Sequence, residues 1–190
     1  MALIDEVAAR APLDRTRVYV TGASNGGMMT CQLGCETRGV FAGLAPVIAN
    51  IPQPLAAACT PLATINLLSI NGDADPFIPF EGGEVCAGMR RVCEKGFVLS
   101  TAESVRRFAA ANGCAAWPRV TALPPVVDDG TSVEHWVYPR CASGAEVQLY
   151  IVRGGGHAWP PRQPRVAAGG AASGNLDATR IIVDFFFPQE

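Results

Sequence analysis

The stretch that decides the fold is Val18-Tyr19-Val20-Thr21-Gly22-Ala23-Ser24-Asn25-Gly26. A short apolar run, typical of a buried strand, leads into a G-x-S-x-G pentapeptide, and a helical pattern begins near Asn25. Such a strand-to-helix turn presents the serine hydroxyl to a cleft, and glycines are needed because neighbouring backbone passes close by. About one chain in twenty of this length contains the pentapeptide by chance. The position of the pentapeptide between a strand and a helix is therefore the stronger indication, and it predicts Ser24 as a nucleophile.

The composition is that of an ordinary globular protein. A chain of 190 residues predicts one domain over residues 1–190, and 49% apolar with 17% charged residues excludes a disordered chain. A net charge of −2 without a basic block favours neither nucleic acid nor an anionic membrane as partner. Prolines interrupt the longest apolar run, and the acidic N-terminus lacks the basic start of a signal peptide.

Apolar periodicity predicts alternating strands and helices. Strands are expected at 18–20, 41–48, 64–70, 133–138 and 147–152, and loops at 71–83 and 162–174. Helices are expected before Pro12, from Asn25 to near Gly39, from a Ser100-x-x-Glu103 capping box to Gly113, and at the C-terminus. The second and third strands are apolar on both faces, as in parallel sheets. This order predicts an α/β fold with a mainly parallel sheet flanked by helices.

Seven cysteines are many for a cytosolic enzyme of this size. They form no C-x-x-C pair and lack the neighbouring histidines of a zinc site, so no metal is predicted. Disulfides in an oxidising compartment are the favoured interpretation over free buried thiols. The preferred pairs are Cys114 with Cys141, which flank a predicted hairpin, and Cys86 with Cys93, which share one loop. The odd count leaves at least one thiol unpaired.

A serine hydroxyl needs a base before it can act as a nucleophile, and the chain has two histidines. His157 follows a predicted strand on a glycine-rich loop, the place where α/β sheets form their sites. His135 lies inside an alternating segment and is interpreted as a structural strand residue. Two aspartates in the loop after another strand could orient the base. Asp75 is preferred because a rigid apolar turn follows it, whereas Asp73 is expected to cap the turn through its own backbone.

The order Ser24, Asp75, His157 is that of the α/β-hydrolases. The chain resembles the polyhydroxybutyrate depolymerase-like esterase family of that superfamily, which includes feruloyl and acetylxylan esterases. Three stretches carry the resemblance, at residues 18–29, 71–83 and 154–160. It implies Ser24 as nucleophile, Asp75 as acid and His157 as base. It also implies that Trp159 lines the substrate cleft and that the protein is secreted or periplasmic.

One departure from the family concerns the residues before the serine. Only 23 residues precede Ser24, so the chain resembles an α/β-hydrolase without its usual N-terminal strands and His-Gly loop. The backbone N–H of Asn25 is then the expected oxyanion donor, while a second donor must come from elsewhere or be missing. Residues 18–20 would form an exposed apolar edge. A homodimer or a rearranged N-terminus is expected to cover it.

The sequence therefore predicts a serine carboxylesterase that uses no cofactor and cleaves a small or polymeric ester. Apolar side chains near the motifs suggest a hydrophobic acyl or aromatic substrate: Met28, Phe77, Phe80 and Trp159. Two alternatives stay open. One is a binding or structural module in which the shortened scaffold has lost catalysis, and the other is a peptidase that uses the same triad.

Overall fold

The structure is a computed structural model that describes residues 2–37, 39–59, 65–86, 96–161 and 167–188. Its helices are α1 (Ala2–Arg10), α2 (Asn25–Glu36), α3 (Gln53–Ala56), α4 (Thr101–Ala111) and α5 (Ala178–Phe186), with 3-10 turns at Ala142–Gly144 and Ala167–Gly169. Its strands are β1 (Tyr19–Ala23), β2 (Gly43–Val47), β3 (Asn66–Gly72), β4 (Gly83–Glu84), β5 (Phe97–Val98), β6 (Arg119–Ala122), β7 (Ser132–Tyr138) and β8 (Val147–Arg153).

Six strands form one sheet in the order β1-β2-β3-β8-β7-β6, and β4 pairs with β5 separately. Strands β1, β2, β3 and β8 are parallel, whereas β7 and β6 are antiparallel to their neighbours. The parallel strands therefore end at one edge of the sheet, and the loops that follow them meet there. The predicted α/β class with a mainly parallel sheet flanked by helices is confirmed, and the architecture is α/β-hydrolase-like.

The core lies on both faces of the sheet. Every residue of β2 is buried, and so is every residue of β3 after the first, which explains their apolar sequence on both faces. Helices α2 and α4 cover one face, where Cys31 and Phe108 pack with Leu44 and Leu149. Helix α5 covers the other through Ile182. Helix α1 buries no residue. That residues 1–190 form a single domain stays a prediction.

The serine strand β1 lies at the edge of this sheet. It pairs with β2, and the part of the chain that the structure describes supplies no strand on its other side. Its residues are only half-buried except for exposed Thr21. The position agrees with the exposed edge expected for residues 18–20. A homodimer that covers it stays a prediction, for which light scattering at micromolar concentration should give a dimer mass.

The sequence missed strand β6 and the short elements α3, β4 and β5. All four residues of β6 are exposed, so it carries no apolar alternation and is defined by its pairing with β7. The predicted strands and four helices are present with shifted ends. The largest shift among the strands is in β1, which continues through Gly22 to Ala23, and α2 ends at Glu36 instead of near Gly39. Part of the predicted loop at 162–174 lies outside the described residues.

Disulfides tie the ends of several elements. The predicted Cys114–Cys141 bridge is present and flanks the β6–β7 hairpin. The Cys35–Cys59 bridge joins the end of α2 to the segment after α3, and the sequence did not predict it. Cys86 is also disulfide-bonded, but its predicted partner Cys93 lies outside the described residues. Cys31 is a free thiol, and its complete burial raises its pKa to about 12, which keeps it protonated and unreactive.

No helix within the described residues combines the length and the apolar character needed to cross a membrane.

Candidate active site at the ends of the parallel strands

Ser24 lies between β1 and α2 in a backbone conformation that few side chains adopt. Its φ is 56° and its ψ is −120°. Its N–H donates to the carbonyl oxygen of Val47 at 3.0 Å, and its own carbonyl accepts from Met28 N–H as α2 begins. The hydroxyl makes no capping hydrogen bond to the helix. Strain of this kind collects at functional sites, and here it leaves the hydroxyl free for other chemistry.

Close backbone approach explains two of the glycines around Ser24. A Cβ on Gly22 would lie 2.5 Å from the backbone of Gly26, and a Cβ on Gly27 would lie 2.5 Å from the Cβ of Ala49. A Cβ on Gly26 would meet nothing within 4 Å. Gly22 and Gly27 are therefore required by contact, whereas Gly26, the last glycine of the pentapeptide, faces open space.

Asp75 lies in the loop after β3, and its carboxylate is almost fully buried, with 2% of the side chain exposed. Its Oδ1 accepts hydrogen bonds from the backbone N–H groups of Phe77 and Ile78 at 2.8 and 3.0 Å. These two bonds satisfy one oxygen and fix the direction of the other. The apolar turn expected to orient the carboxylate does so through its backbone.

His157 lies in the loop after β8, and its Nδ1 is 2.7 Å from Asp75 Oδ2. Its side chain is 16% exposed. The loop is held by hydrogen bonds from Gly156 N–H to Ala171 and from His157 N–H to Gly169. With Nδ1 donating to the carboxylate, Nε2 is left as a proton acceptor, which is the tautomer that a general base needs.

Asp73 has a different structural role from the predicted one. The sequence predicted that it caps its own turn, but it binds the histidine loop instead. Its Oδ1 accepts from Gly154 N–H at 2.6 Å, and its Oδ2 accepts from Arg153 at 3.2 Å. Arg153 also donates to both carboxylate oxygens of Glu134. The hydrogen bonds from Arg153 hold the pKa of Glu134 below its usual value. Asp73 therefore fastens the histidine loop to the aspartate loop.

His135 is a residue of β7, as expected. Its ring stacks on Tyr150 with centroids 4.1 Å apart, and its Nε2 is 2.8 Å from Gln148 Oε1. Burial lowers its pKa, although the hydrogen bond to Gln148 opposes that shift. Within the part of the chain that the structure describes, no carboxylate is bonded to it.

Ser24, Asp75 and His157 follow β1, β3 and β8, whose carboxyl ends share one sheet edge. Packing connects the three loops: the ring of Phe77 meets His157 edge-on at 5.2 Å, and Met28 packs against Ile78 and its neighbours. Asp75 and His157 are hydrogen-bonded to each other. No hydrogen bond joins Ser24 to His157 among the described residues; such bonds often tighten only when substrate binds.

The four predicted substrate residues do not form one patch. Phe77 is buried beside His157, and Met28 packs under the aspartate loop. Phe80 packs against the core on the α2 and α4 side of the sheet. Trp159 packs on the α5 side and donates to Thr179. Of these four, Phe77 is therefore the residue that the structure places against His157.

Within the described residues, no three His, Cys, Asp or Glu side chains form a group that could hold a metal ion.

Two curated relatives are similar to this chain, although no protein-family model matches it. The chain is 37% identical to "Putative esterase NocK" of Nocardia uniformis subsp. tsuyamanensis, over 97% of this chain and 55% of that protein. It is 27% identical to "Feruloyl esterase B" of Piromyces equi, over 82% of this chain and 27% of that protein. The chain thus spans about half the length, or less, of these relatives. Their names support an esterase family and ester hydrolysis in general; the polyhydroxybutyrate depolymerase-like group stays a prediction.

Sequence reasoning missed a buried polar cluster behind the aspartate loop. Asn50, after β2, and Asn71, in β3, are almost fully buried, as is Thr101 at the start of α4. Both asparagines come at the end of an apolar run that predicts a strand. An amide at that place in an α/β sheet is a signal that could have indicated them.

Proposed function

We propose that this protein is a serine carboxylesterase with Ser24 as nucleophile, His157 as general base and Asp75 as the acid that orients it. The observation that carries the proposal is the 2.7 Å hydrogen bond from His157 to the buried carboxylate of Asp75, at the sheet edge where the strained Ser24 turn ends. A buried carboxylate fixes the imidazole tautomer and stabilises the imidazolium that forms during the reaction.

In the acylation step, Ser24 Oγ attacks the ester carbonyl carbon while His157 Nε2 takes the hydroxyl proton. The carbonyl oxygen becomes an oxyanion, and the N–H of Asn25 at the start of α2 donates to it. The intermediate collapses as the bond to the leaving alkoxide breaks. His157 gives its proton to that alkoxide, so an alcohol departs and the acyl group stays on Ser24.

In the deacylation step, His157 Nε2 takes a proton from water, and the resulting hydroxide attacks the acyl carbon. The second intermediate collapses, the proton returns to Ser24 Oγ, and the carboxylic acid leaves. Asn25 N–H supplies one oxyanion donor, and one such donor is worth about 10²–10³-fold in turnover.

The proposal extends to the substrate and to the place of action. Phe77, whose ring meets His157, and Met28, which packs on the apolar cluster that contains Ile78, favour an ester with an apolar acyl group, either a short aliphatic one or an aromatic one of feruloyl type. The two bridges Cys35–Cys59 and Cys114–Cys141 support an oxidising environment and therefore secretion. A polyester is a further substrate that the same chemistry would accept.

The test is the hydrolysis of a short-chain p-nitrophenyl ester by the wild type and by Ser24→Ala. Ser132→Ala, at an exposed serine of β7, is the matched control. We expect the wild type and the control to hydrolyse the ester at the same rate and Ser24→Ala to be inactive. A phosphonate that labels activated serines should add its mass to the peptide containing Ser24.

Other outcomes favour other functions. A folded but inactive wild type would favour the binding module, and activity that survives in Ser24→Ala would refute the nucleophile. Cleavage of peptide amides at a rate comparable to that of esters would favour a peptidase.

A further inference from the structure

The buried polar cluster behind the aspartate loop connects three parts of the fold. Asn50 belongs to the segment after β2, Asn71 to β3 and Thr101 to α4, and none of the three is more than 4% exposed. With Ser69, which accepts from Asn71 Nδ2, four buried polar side chains gather in a region that otherwise consists of apolar core. Polar groups in a core cost free energy unless they are fully hydrogen-bonded, so such a cluster calls for an explanation.

Asn71 fixes the chain that leaves β2. Its Oδ1 accepts from Ala49 N–H at 2.9 Å, and its Nδ2 lies 3.3 Å from the Ala49 carbonyl oxygen. The Asn71 side-chain amide therefore makes the hydrogen bonds to Ala49 that the backbone of a neighbouring strand would make within a sheet. This arrangement sets the position of the next residue, Asn50.

Asn50 joins the start of α4 to the aspartate loop. Its Oδ1 accepts from the Thr101 hydroxyl at 2.9 Å, and its Nδ2 donates to the carbonyl oxygen of Pro79 at 3.1 Å. A carbonyl can only accept, so the NH₂ group must face Pro79 and the oxygen must face Thr101. The Thr101 backbone also donates to the adjacent Phe80 carbonyl at 2.8 Å.

Pro79 follows directly after the turn that holds the acid. Asp75 Oδ1 is held by the N–H groups of Phe77 and Ile78, and Ile78 precedes Pro79. A shift of the Pro79 carbonyl would move those N–H groups, and with them the carboxylate that meets His157. A displacement of about 1 Å far from the reacting atoms can lower the rate about 10²-fold.

We propose that Asn50 is a positioning residue, whose amide holds the aspartate loop so that Asp75 meets His157. This inference rests on the proposed function for its kinetic consequence, but the geometry it describes exists without substrate. Asn50 acts through the loop and touches neither the substrate nor the reacting atoms.

The test compares Asn50→Ala with Ser104→Ala. Ser104 is buried beside the same cluster and accepts from Ile51 N–H at 3.0 Å, but its side chain makes no hydrogen bond to the aspartate loop within the described residues. Asn50→Ala removes the hydrogen bonds to Pro79, Thr101 and Asn71, Ser104→Ala removes the one to Ile51, and both should lower the melting temperature. In Asn50→Ala the Pro79 carbonyl keeps its hydrogen bond from Gly82 N–H, so the turn itself can persist.

The first measurement is the proton NMR signal of His157 Nδ1–H, which is shifted far downfield when it is donated to a carboxylate. We expect it to exchange with water about 10-fold faster in Asn50→Ala, because the aspartate loop loses the hydrogen bond from Asn50 Nδ2 to the Pro79 carbonyl oxygen. In Ser104→Ala it should exchange as in the wild type. This measurement requires no activity.

The second measurement is steady-state ester hydrolysis. We expect kcat to fall by about 10- to 100-fold in Asn50→Ala with little change in KM, because a displaced catalytic pair weakens transition-state binding. Thr101→Val removes the hydroxyl that donates to Asn50, so its kcat should also fall. Thr101→Ser keeps a hydroxyl at this position, so its kcat should return to that of the wild type. The two threonine variants replace Asn50→Ala if that variant does not fold.

The outcomes separate this inference from the proposed function. A wild type without Ser24-dependent activity would refute the esterase and leave the NMR comparison as the test of Asn50. An active wild type in which Asn50→Ala and Ser104→Ala behave alike, in both proton exchange and kcat, would overturn the positioning role.

Discussion

The two halves of the candidate site are held in place in different ways. The serine half lies on the edge strand β1, and close packing holds it there: Gly22 against the Gly26 backbone, and Gly27 against the Ala49 side chain. The acid and base half lies on β3 and β8, inside the sheet, and its loops also meet in close backbone contact at Gly72 and Gly156. There, hydrogen bonds of the Asp75 side chain add a second constraint that the serine half lacks, because they set how Asp75 and His157 face each other.

This difference shows how sequence constrains each half. Where the packing around a glycine is this close, the position must have no side chain, because any added carbon would clash and destabilise the fold. Where side chains form hydrogen bonds, one donor or acceptor is required at one position. A substitution of the same size elsewhere in the loop has little effect on the site. Each half therefore has its own matched pair of substitutions.

The largest effect is expected for Asp75→Asn. The amide can still accept from Phe77 and Ile78 N–H, but it no longer offers a charge to His157. Loss of the orienting carboxylate lowers kcat by about 10⁴-fold in a serine-protease triad, and we expect a loss of that order in ester hydrolysis.

Asp73→Asn is its control, because it removes a charge two residues away. Asp73 contacts the histidine loop through Gly154 and Arg153, so a much smaller loss of kcat is expected. Equal losses of kcat in the two variants would mean that turnover does not depend specifically on the 2.7 Å hydrogen bond between Asp75 and His157.

A smaller effect is expected on the serine side, from Gly27→Ala. The new Cβ would lie 2.5 Å from Ala49 Cβ and within 3.0 Å of two carbonyl oxygens. We expect the free energy of unfolding in urea to fall by about 1–3 kcal/mol, the usual cost of overpacking a buried contact.

Gly26→Ala is the control for the serine side. Its Cβ meets nothing within 4 Å, and alanine is the better helix former by about 1 kcal/mol, so stability should be kept or slightly raised. A Gly27→Ala variant as stable as Gly26→Ala would show that backbone contact does not hold this half.

The smallest effect concerns His135, whose Nε2 is hydrogen-bonded to Gln148. Burial lowers its pKa in the folded protein, so the unfolded chain binds more protons below the ordinary value of about 6.5. Stability from this group is therefore present above that pH and is lost as the pH falls below it.

His135→Phe keeps the ring stacked on Tyr150 and removes the titration. Urea unfolding at a series of pH values from neutral downward should show a shallower loss of stability in the variant. The same slope in both proteins would mean that burial of His135 does not contribute to the acid sensitivity of the fold.

Much of the fold was predictable because its apolar patterns are local. The buried strands β2 and β3 carry apolar residues on both faces, and the Ser100 hydroxyl caps α4 by accepting from Glu103 N–H, as the capping box predicts. Strand β6 was not predictable, because its exposed residues acquire their conformation only by pairing with β7.

The candidate site likewise has local features, which could be predicted, and long-range contacts, which could not. Ser24, Asp75 and His157 could be named in advance because each follows a predicted strand with a recognisable local pattern. The contacts of Asp73 could not, because Gly154 and Arg153 are about 80 residues away along the chain. The Cys35–Cys59 bridge was missed for a similar reason, since only the tertiary fold brings the end of α2 to the segment after α3.

The sequence by itself determined the class of the fold, the order of the three candidate side chains and the strand-to-helix turn at Ser24. All of these depend on residues close together in the chain. The tertiary structure decided what Asp73 binds, which glycines are required by contact, and that Asn50 donates a hydrogen bond to the aspartate loop. Those facts depend on hydrogen bonds and contacts between segments that only the assembled sheet places side by side.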